Sequence, residues 1–145
     1  MDTNAYIVKR IGTAKVTGLV IGLIGFFGIP AFWPDESMWF RAGVLLWYTT
    51  FGAIIGLFGL FVEHPMFGFR MPCWFRGIVF GFWLNLVLVF LMHDKFTALL
   101  SQMEGWGANF SDPLWFAVEG SVMGLLIDAV ATKIAGEGLP GKQVS

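Results

Sequence analysis

The stretch Gly18-Leu-Val-Ile-Gly22-Leu-Ile-Gly25 decides the fold, because it places glycines at i, i+4 and i+7 within a long apolar run. The stretch Gly52-Ala-Ile-Ile-Gly56-Leu-Phe-Gly59 repeats this spacing in the next apolar run. Residues three and four apart share one face of a helix. Small residues on a shared face let helix backbones approach closely in lipid, where no hydrophobic effect drives helix association. Both stretches therefore predict membrane helices that pack through glycine.

Two later apolar runs carry the same GxxxG spacing, and in each the four-residue step continues to a polar side chain. One step runs from Gly81 to Asn85 and the other from Gly124 to Asp128. The predicted helix-packing positions are Gly18, Gly22, Gly25, Gly52, Gly56, Gly59, Gly77, Gly81, Gly120 and Gly124. The similarity among the runs fits an inverted duplication, and it fits equally the ordinary composition of membrane helices.

Composition places the chain in the integral-membrane class. It is 57% apolar and 13% charged over 145 residues, against roughly 45–50% and 25% in soluble domains. Its one cysteine, Cys73, excludes an internal disulfide and a multi-cysteine metal site. No basic patch interleaved with exposed aromatics points to nucleic acid. We expect a single transmembrane domain over residues 1–145, with the lipid bilayer as its surroundings.

Four segments are long and apolar enough to cross a bilayer, which takes roughly 17–25 residues. They are Val16–Trp33, Ala42–Val62, Trp74–His93 and Leu114–Ala135. The sequence therefore predicts an all-α, integral membrane four-helix bundle. An amphipathic period over residues 95–104 predicts a short interfacial helix between the third and fourth spans. Residues 136–145 are typical of a flexible tail.

The basic residues predict that the N and C termini are both cytoplasmic, because Lys and Arg accumulate on that side. The side of the termini carries Lys9, Arg10, Lys15, Arg70, Arg76, Lys133 and Lys142, and the other side carries Arg41 and Lys95. Arg76 falls in the third span, so we expect its guanidinium to extend to the lipid headgroups. The predicted location is a bacterial inner (plasma) membrane.

Polar residues inside the spans are the candidate ion or proton sites, since intramembrane charges are costly and often functional. Asn85 and Asp128 each continue a glycine face, and we expect a hydrogen bond between them, with Asp128 either charged or protonated. Glu119 lies nine residues before Asp128 and so on the opposite face of the helix. We expect Glu119 to meet the headgroups, Arg41 or Lys95, or another protein.

Glu63 and His64 end the second predicted span and complete the set of candidates. His64 is the group most suited to titrate near neutral pH, although a helix end is also an ordinary place for a solvated polar pair. His93 belongs to the opposite membrane surface, so the two histidines cannot share a metal. Because no nucleophile, metal or haem motif is present, we expect no enzyme activity, no catalytic residue, no metal and no cofactor.

Two functions fit these features. The first is a structural or accessory subunit that packs through glycine against itself or against other membrane proteins, and it expects Asp128→Asn to be tolerated. The alternative is an oligomeric small-ion channel or proton-coupled carrier that uses Asp128 and Asn85, in which Asp128→Asn stops flux. The sequence favours the first, because glycine and aromatic residues outnumber the groups that could carry chemistry.

Overall fold

The computed structural model describes residues 2–64 and 66–139, apart from the side chain of Trp106. Its α-helices are α1 (Thr3–Phe32), α2 (Met38–Phe58), α3 (Cys73–Leu91), α4 (His93–Leu100) and α5 (Trp115–Ala135), with a 3₁₀ helix at Gly105–Phe110. The four helices α1, α2, α3 and α5 are long and apolar enough to cross a membrane. The predicted all-α membrane bundle of four helices is confirmed.

α1 begins well before the first predicted span, because the polar turns ahead of the apolar run are helical too. Its 30 residues extend over roughly 45 Å at 1.5 Å per residue, which exceeds the hydrocarbon core of about 30 Å. The residues that it buries are Tyr6, Arg10, Ala14, Gly18 and Gly22. These residues are spaced four apart, so the face of α1 that carries the glycines extends towards the N-terminus and includes Arg10.

The four long helices form two pairs, α1 with α2 and α3 with α5, and of the contacts between the pairs that of α1 with α5 is the largest. Backbones meet closely within each pair. A Cβ atom placed on Gly22 would lie 2.7 Å from the Leu45 carbonyl oxygen, and one on Gly77 would lie 2.7 Å from that of Gly124. A Cβ on Gly56 would lie 2.8 Å from the Cβ of Ala14. Side chains at these glycines would push the helices apart.

The start of α1 and the end of α5 lie at one end of the bundle, here called the terminal end, and α4 covers the opposite, far end. α4 packs Phe96 and Leu99 onto Val89 of α3, and the rings of Phe96 and Phe116 have centroids 4.4 Å apart. The interfacial helix expected at 95–104 is therefore found at His93–Leu100, and its apolar side is packed onto the bundle.

The predicted tail starts with contacts to the bundle. Gly136 ends α5 with a φ of 86°, a backbone conformation that favours glycine. The Gly138 amide donates to the Gly59 carbonyl oxygen at 3.1 Å. The last six positions of the predicted tail, 140–145, lie outside the described residues.

Replacing Gly22 by leucine should destabilise the bundle, because the new side chain would collide with the α2 backbone at Leu45. We expect the free energy of unfolding to fall by about 1–3 kcal/mol or more, as for other overpacked positions. Gly28→Leu is the matched control, since a Cβ at Gly28 meets nothing within 4 Å. Unfolding in detergent, followed by circular dichroism, measures both. Equal stability of the two variants would contradict close packing at Gly22.

Candidate functional site: two buried polar clusters

The first cluster, here called the Asp128 cluster, joins three helices at one carboxylate. Arg10 Nη2 of α1 lies 2.5 Å from Asp128 Oδ1. Arg76 of α3 donates from Nε to Oδ2 at 2.8 Å and from Nη2 to Oδ1 at 3.1 Å. All three side chains are at most 1% exposed. The carboxylate is thus held by a bidentate arginine on one side and a second arginine on the other.

Local sequence places each member of the Asp128 cluster. Arg10 lies on the buried face of α1, two four-residue steps before Gly18, and Arg76 lies in the first turn of α3. A Cβ on Gly59 would overlap the Arg10 guanidinium, so this glycine makes room for an arginine. Arg10 Nη1 also donates to the carbonyl oxygen of Gly136, just beyond the end of α5.

The charges in this region balance once Glu137 is included. Its Oε2 lies 3.5 Å from Arg76 Nη2, which gives two arginines against two carboxylates. Buried ions are stable only when their partners offset the loss of water. Arg10 Nε and Glu137 Oε2 are buried without a hydrogen bond among the described residues. The Asp128 cluster is therefore a buried ionic network in which both oxygens of Asp128 accept from arginines.

This geometry corrects two expectations. Arg76 does not extend to the headgroups, because a carboxylate on the neighbouring helix neutralises it inside the protein. Asp128 does not bond Asn85, because both of its oxygens accept from arginines instead. Arg10 lay outside the first predicted span and was counted only as a cytoplasmic charge. The four-residue spacing of Arg10, Ala14 and Gly18 is the feature of the sequence that places Arg10 on the packing face of α1.

The second cluster, here called the Glu119 cluster, lies towards the far end and is built on Asn85. Trp47 Nε1 donates to Asn85 Oδ1 at 3.0 Å. The Asn85 amide nitrogen donates to Glu119 Oε2 and to the Phe116 carbonyl oxygen, each at 2.9 Å. The Tyr48 hydroxyl donates to the same Glu119 oxygen at 2.5 Å. Asn85 thereby connects α2, α3 and α5.

Glu119 and Asp128 lie in separate clusters, in line with their predicted opposite faces. The ion pair expected between Glu119 and Arg41 or Lys95 is wrong, however, because both cations contact other groups. Arg41 donates to the Phe26 carbonyl oxygen at 2.9 Å, and Lys95 lies 2.7 Å from Glu36. Tyr48 and Trp47 were not among the predicted site residues, since in sequence they look like ordinary aromatic packing.

A cavity of about 450 Å³ adjoins the Glu119 cluster. Its walls come from all five α-helices, and seven of the 16 lining residues are aromatic. The aromatic residues that line it are Trp33, Trp39, Phe40, Trp47, Tyr48, Phe96 and Phe116. Asn85 and Glu119 line its polar end. An apolar cavity with a few convergent polar groups is the usual form of a small-molecule site.

Glu63 and His64 shape the loop between α2 and α3. His64 Nδ1 accepts from the amides of Met66 at 3.2 Å and Phe67 at 3.3 Å, and Glu63 forms a β-bridge with Arg70. The contacts of His64 are with its own loop, so the structure does not join it to Asp128 or Asn85. Across residues 2–64 and 66–139, no group of three His, Cys, Asp or Glu could hold a metal ion.

Asp128→Asn should strongly destabilise the protein, contrary to the tolerance expected from sequence. The change leaves two buried guanidinium groups without their shared anion, a loss that typically costs about 3–5 kcal/mol. Arg70→Gln is the control, since Arg70 is exposed and lies 3.9 Å from Glu137; it should stay within about 0.5 kcal/mol of wild type. Unfolding in detergent measures both. Wild-type stability of Asp128→Asn would contradict the ionic network.

Comparisons with known proteins do not extend this picture. The chain matches no protein-family model, no curated protein and no solved structure. Function has therefore to be argued from the two clusters, the cavity and the surface of the bundle.

Proposed function

We propose that the protein is a structural or accessory subunit of a larger assembly in a bacterial inner membrane. In this role a small polytopic bundle, made stiff by glycine packing, presents a fixed surface to another membrane protein. The observation that carries the proposal is the hydrogen-bonded part of the loop between α2 and α3, at residues 62–64 and 66–71. This loop exposes apolar side chains at the terminal end, outside the helices long enough to span.

The loop is held in shape by its own hydrogen bonds. Two amides donate to His64 Nδ1. In addition, the His64 carbonyl oxygen accepts from the Gly68 amide at 2.8 Å, and the His64 amide donates to the Phe69 carbonyl oxygen at 2.9 Å. Met66 is nevertheless 81% exposed and Phe67 72% exposed. Adjacent exposed apolar residues mark a surface covered by another protein or by the membrane, and we assign this one to a partner protein because it lies outside the spanning helices.

The polar interior supports a structural role more than a conducting one. Asp128 is fully buried between two arginines, and Asn85 is bonded to Trp47 and Glu119. A channel or proton-coupled carrier that uses Asp128 and Asn85 would need a continuous polar line through both. Their hydrogen bonds belong to separate clusters, so this alternative has less support.

The loop should be required for partner binding. We expect the wild-type protein, extracted from its own membrane in mild detergent, to form a hetero-complex of fixed stoichiometry that native mass spectrometry resolves. Met66→Ala/Phe67→Ala should lose the partner, because it removes the exposed apolar surface and keeps the loop's backbone hydrogen bonds.

The matched control is Phe90→Ala/Leu91→Ala, another adjacent exposed pair at the far end of α3, with exposures of 70% and 78%. This variant should keep the partner. A wild-type protein that is only monomeric or homo-oligomeric would contradict the accessory function. Retention of the partner by the Met66/Phe67 variant would contradict the loop as its surface.

A further inference from the structure

We propose that the cavity beside Glu119 binds an amphipathic organic amine, with its ammonium group at the Glu119 carboxylate and its apolar body among the aromatic walls. This inference goes beyond the accessory function and rests on different residues. It stands on the unpaired state of Glu119, on the form of the cavity and on an opening at its rim.

Glu119 lacks the cation that a carboxylate inside a membrane protein normally has. None of the ion pairs within the described residues involves it. Asp128, on the same helix, shows the paired condition, since two arginines hold it. Because an uncompensated charge is costly away from water, a cationic ligand would stabilise the Glu119 carboxylate in the way that arginine stabilises Asp128.

The hydrogen bonds of Glu119 leave room for such a ligand. Tyr48 and Asn85 both donate to Oε2, which fixes the side chain and leaves Oε1 to accept from an ammonium group. Glu119 itself lines the cavity. The protein therefore orients the Glu119 carboxylate through Oε2 and leaves Oε1 for a ligand.

The cavity suits an aromatic or alkyl amine in size and in lining. Its volume of about 450 Å³ falls within the range of roughly 300–1,000 Å³ usual for small-molecule sites. Aromatic faces attract cations, and Trp33 is fixed in the wall by a hydrogen bond from its Nε1 to the Leu99 carbonyl oxygen at 2.8 Å. The walls favour a cation with an apolar body over a hydrated metal ion.

The rim allows entry from the surface of α2. Trp39 is 86% exposed and Gly43 is exposed as well, and both line the cavity. A Cβ at Gly43 would meet nothing within 4 Å. An amphipathic amine that has partitioned into the bilayer can therefore reach the cavity beside this glycine.

The probe that tests the proposal is 4-phenylbutylamine, with 4-phenylbutan-1-ol as its uncharged counterpart. Binding to the protein in phosphatidylcholine nanodiscs is followed by tryptophan fluorescence, with empty nanodiscs subtracted. We expect the wild-type protein to bind the amine at least tenfold more tightly than the alcohol. Glu119→Gln, which keeps an acceptor for Tyr48 and Asn85, should bind the amine at least tenfold more weakly and the alcohol unchanged.

A second pair of variants tests the place of binding. Gly43→Leu should block the amine, whereas Gly28→Leu, whose added side chain also meets open space but does not line the cavity, should bind it as wild type does. Absence of amine binding, equal affinity for amine and alcohol, or wild-type affinity in Glu119→Gln or Gly43→Leu would each overturn the proposal. Loss of binding in Gly28→Leu as well would overturn the cavity as the site.

Discussion

The Asp128 carboxylate, held between Arg10 and Arg76, is the interaction on which the rest of the structure depends. Glycine contacts hold α1 to α2 and α3 to α5, but they act within each pair. The Arg10–Asp128 contact crosses from one pair to the other. Ionic interactions are strong where the dielectric is low, and a buried partner cannot leave without stranding the others. Together with the Trp47–Asn85 and Tyr48–Glu119 hydrogen bonds, the network therefore fixes how the two pairs sit against each other.

The two ends of the bundle differ, because an ionic network fills the terminal end and a cavity opens at the far end. At the terminal end, charges neutralise one another and Glu137, just beyond α5, joins them. At the far end, Asn85 joins three helices through uncharged donors, and Glu119 lies beside a cavity with no ion-pair partner among the described residues. Two acids on opposite faces of one helix thus have different surroundings. One is a structural ion, and the other has the setting of a ligand site.

Hydropathy and glycine spacing were enough to predict the helical class and the four spans, because both depend on local periodicity. Neither pattern could predict which side chains on different helices contact each other, because residues that share a packing face do not show which helix packs against that face. Asn85 and Asp128 looked like partners because each continues a glycine step, yet they bond to different helices. Arg10 was missed because a window of apolar residues starts only at Val16. Reading the step back from Gly18 would have shown a charge on the packing face.

Fewer free basic residues support the predicted orientation than the sequence indicates. Arg10 and Arg76 are buried, so they serve packing and cannot be counted as free charges at the membrane surface. The remaining basic residues are still more numerous on the side of the termini, and the predicted orientation stands on them.

The most direct test of the ionic network is a double-mutant cycle between Arg10 and Asp128. The free energy of unfolding is measured in detergent for wild type, Arg10→Gln, Asp128→Asn and the double variant. If the two side chains stabilise the bundle as a pair, the double variant should lose less than the sum of the single losses, by about 1–3 kcal/mol. Additive losses, with a coupling energy near zero, would contradict the account.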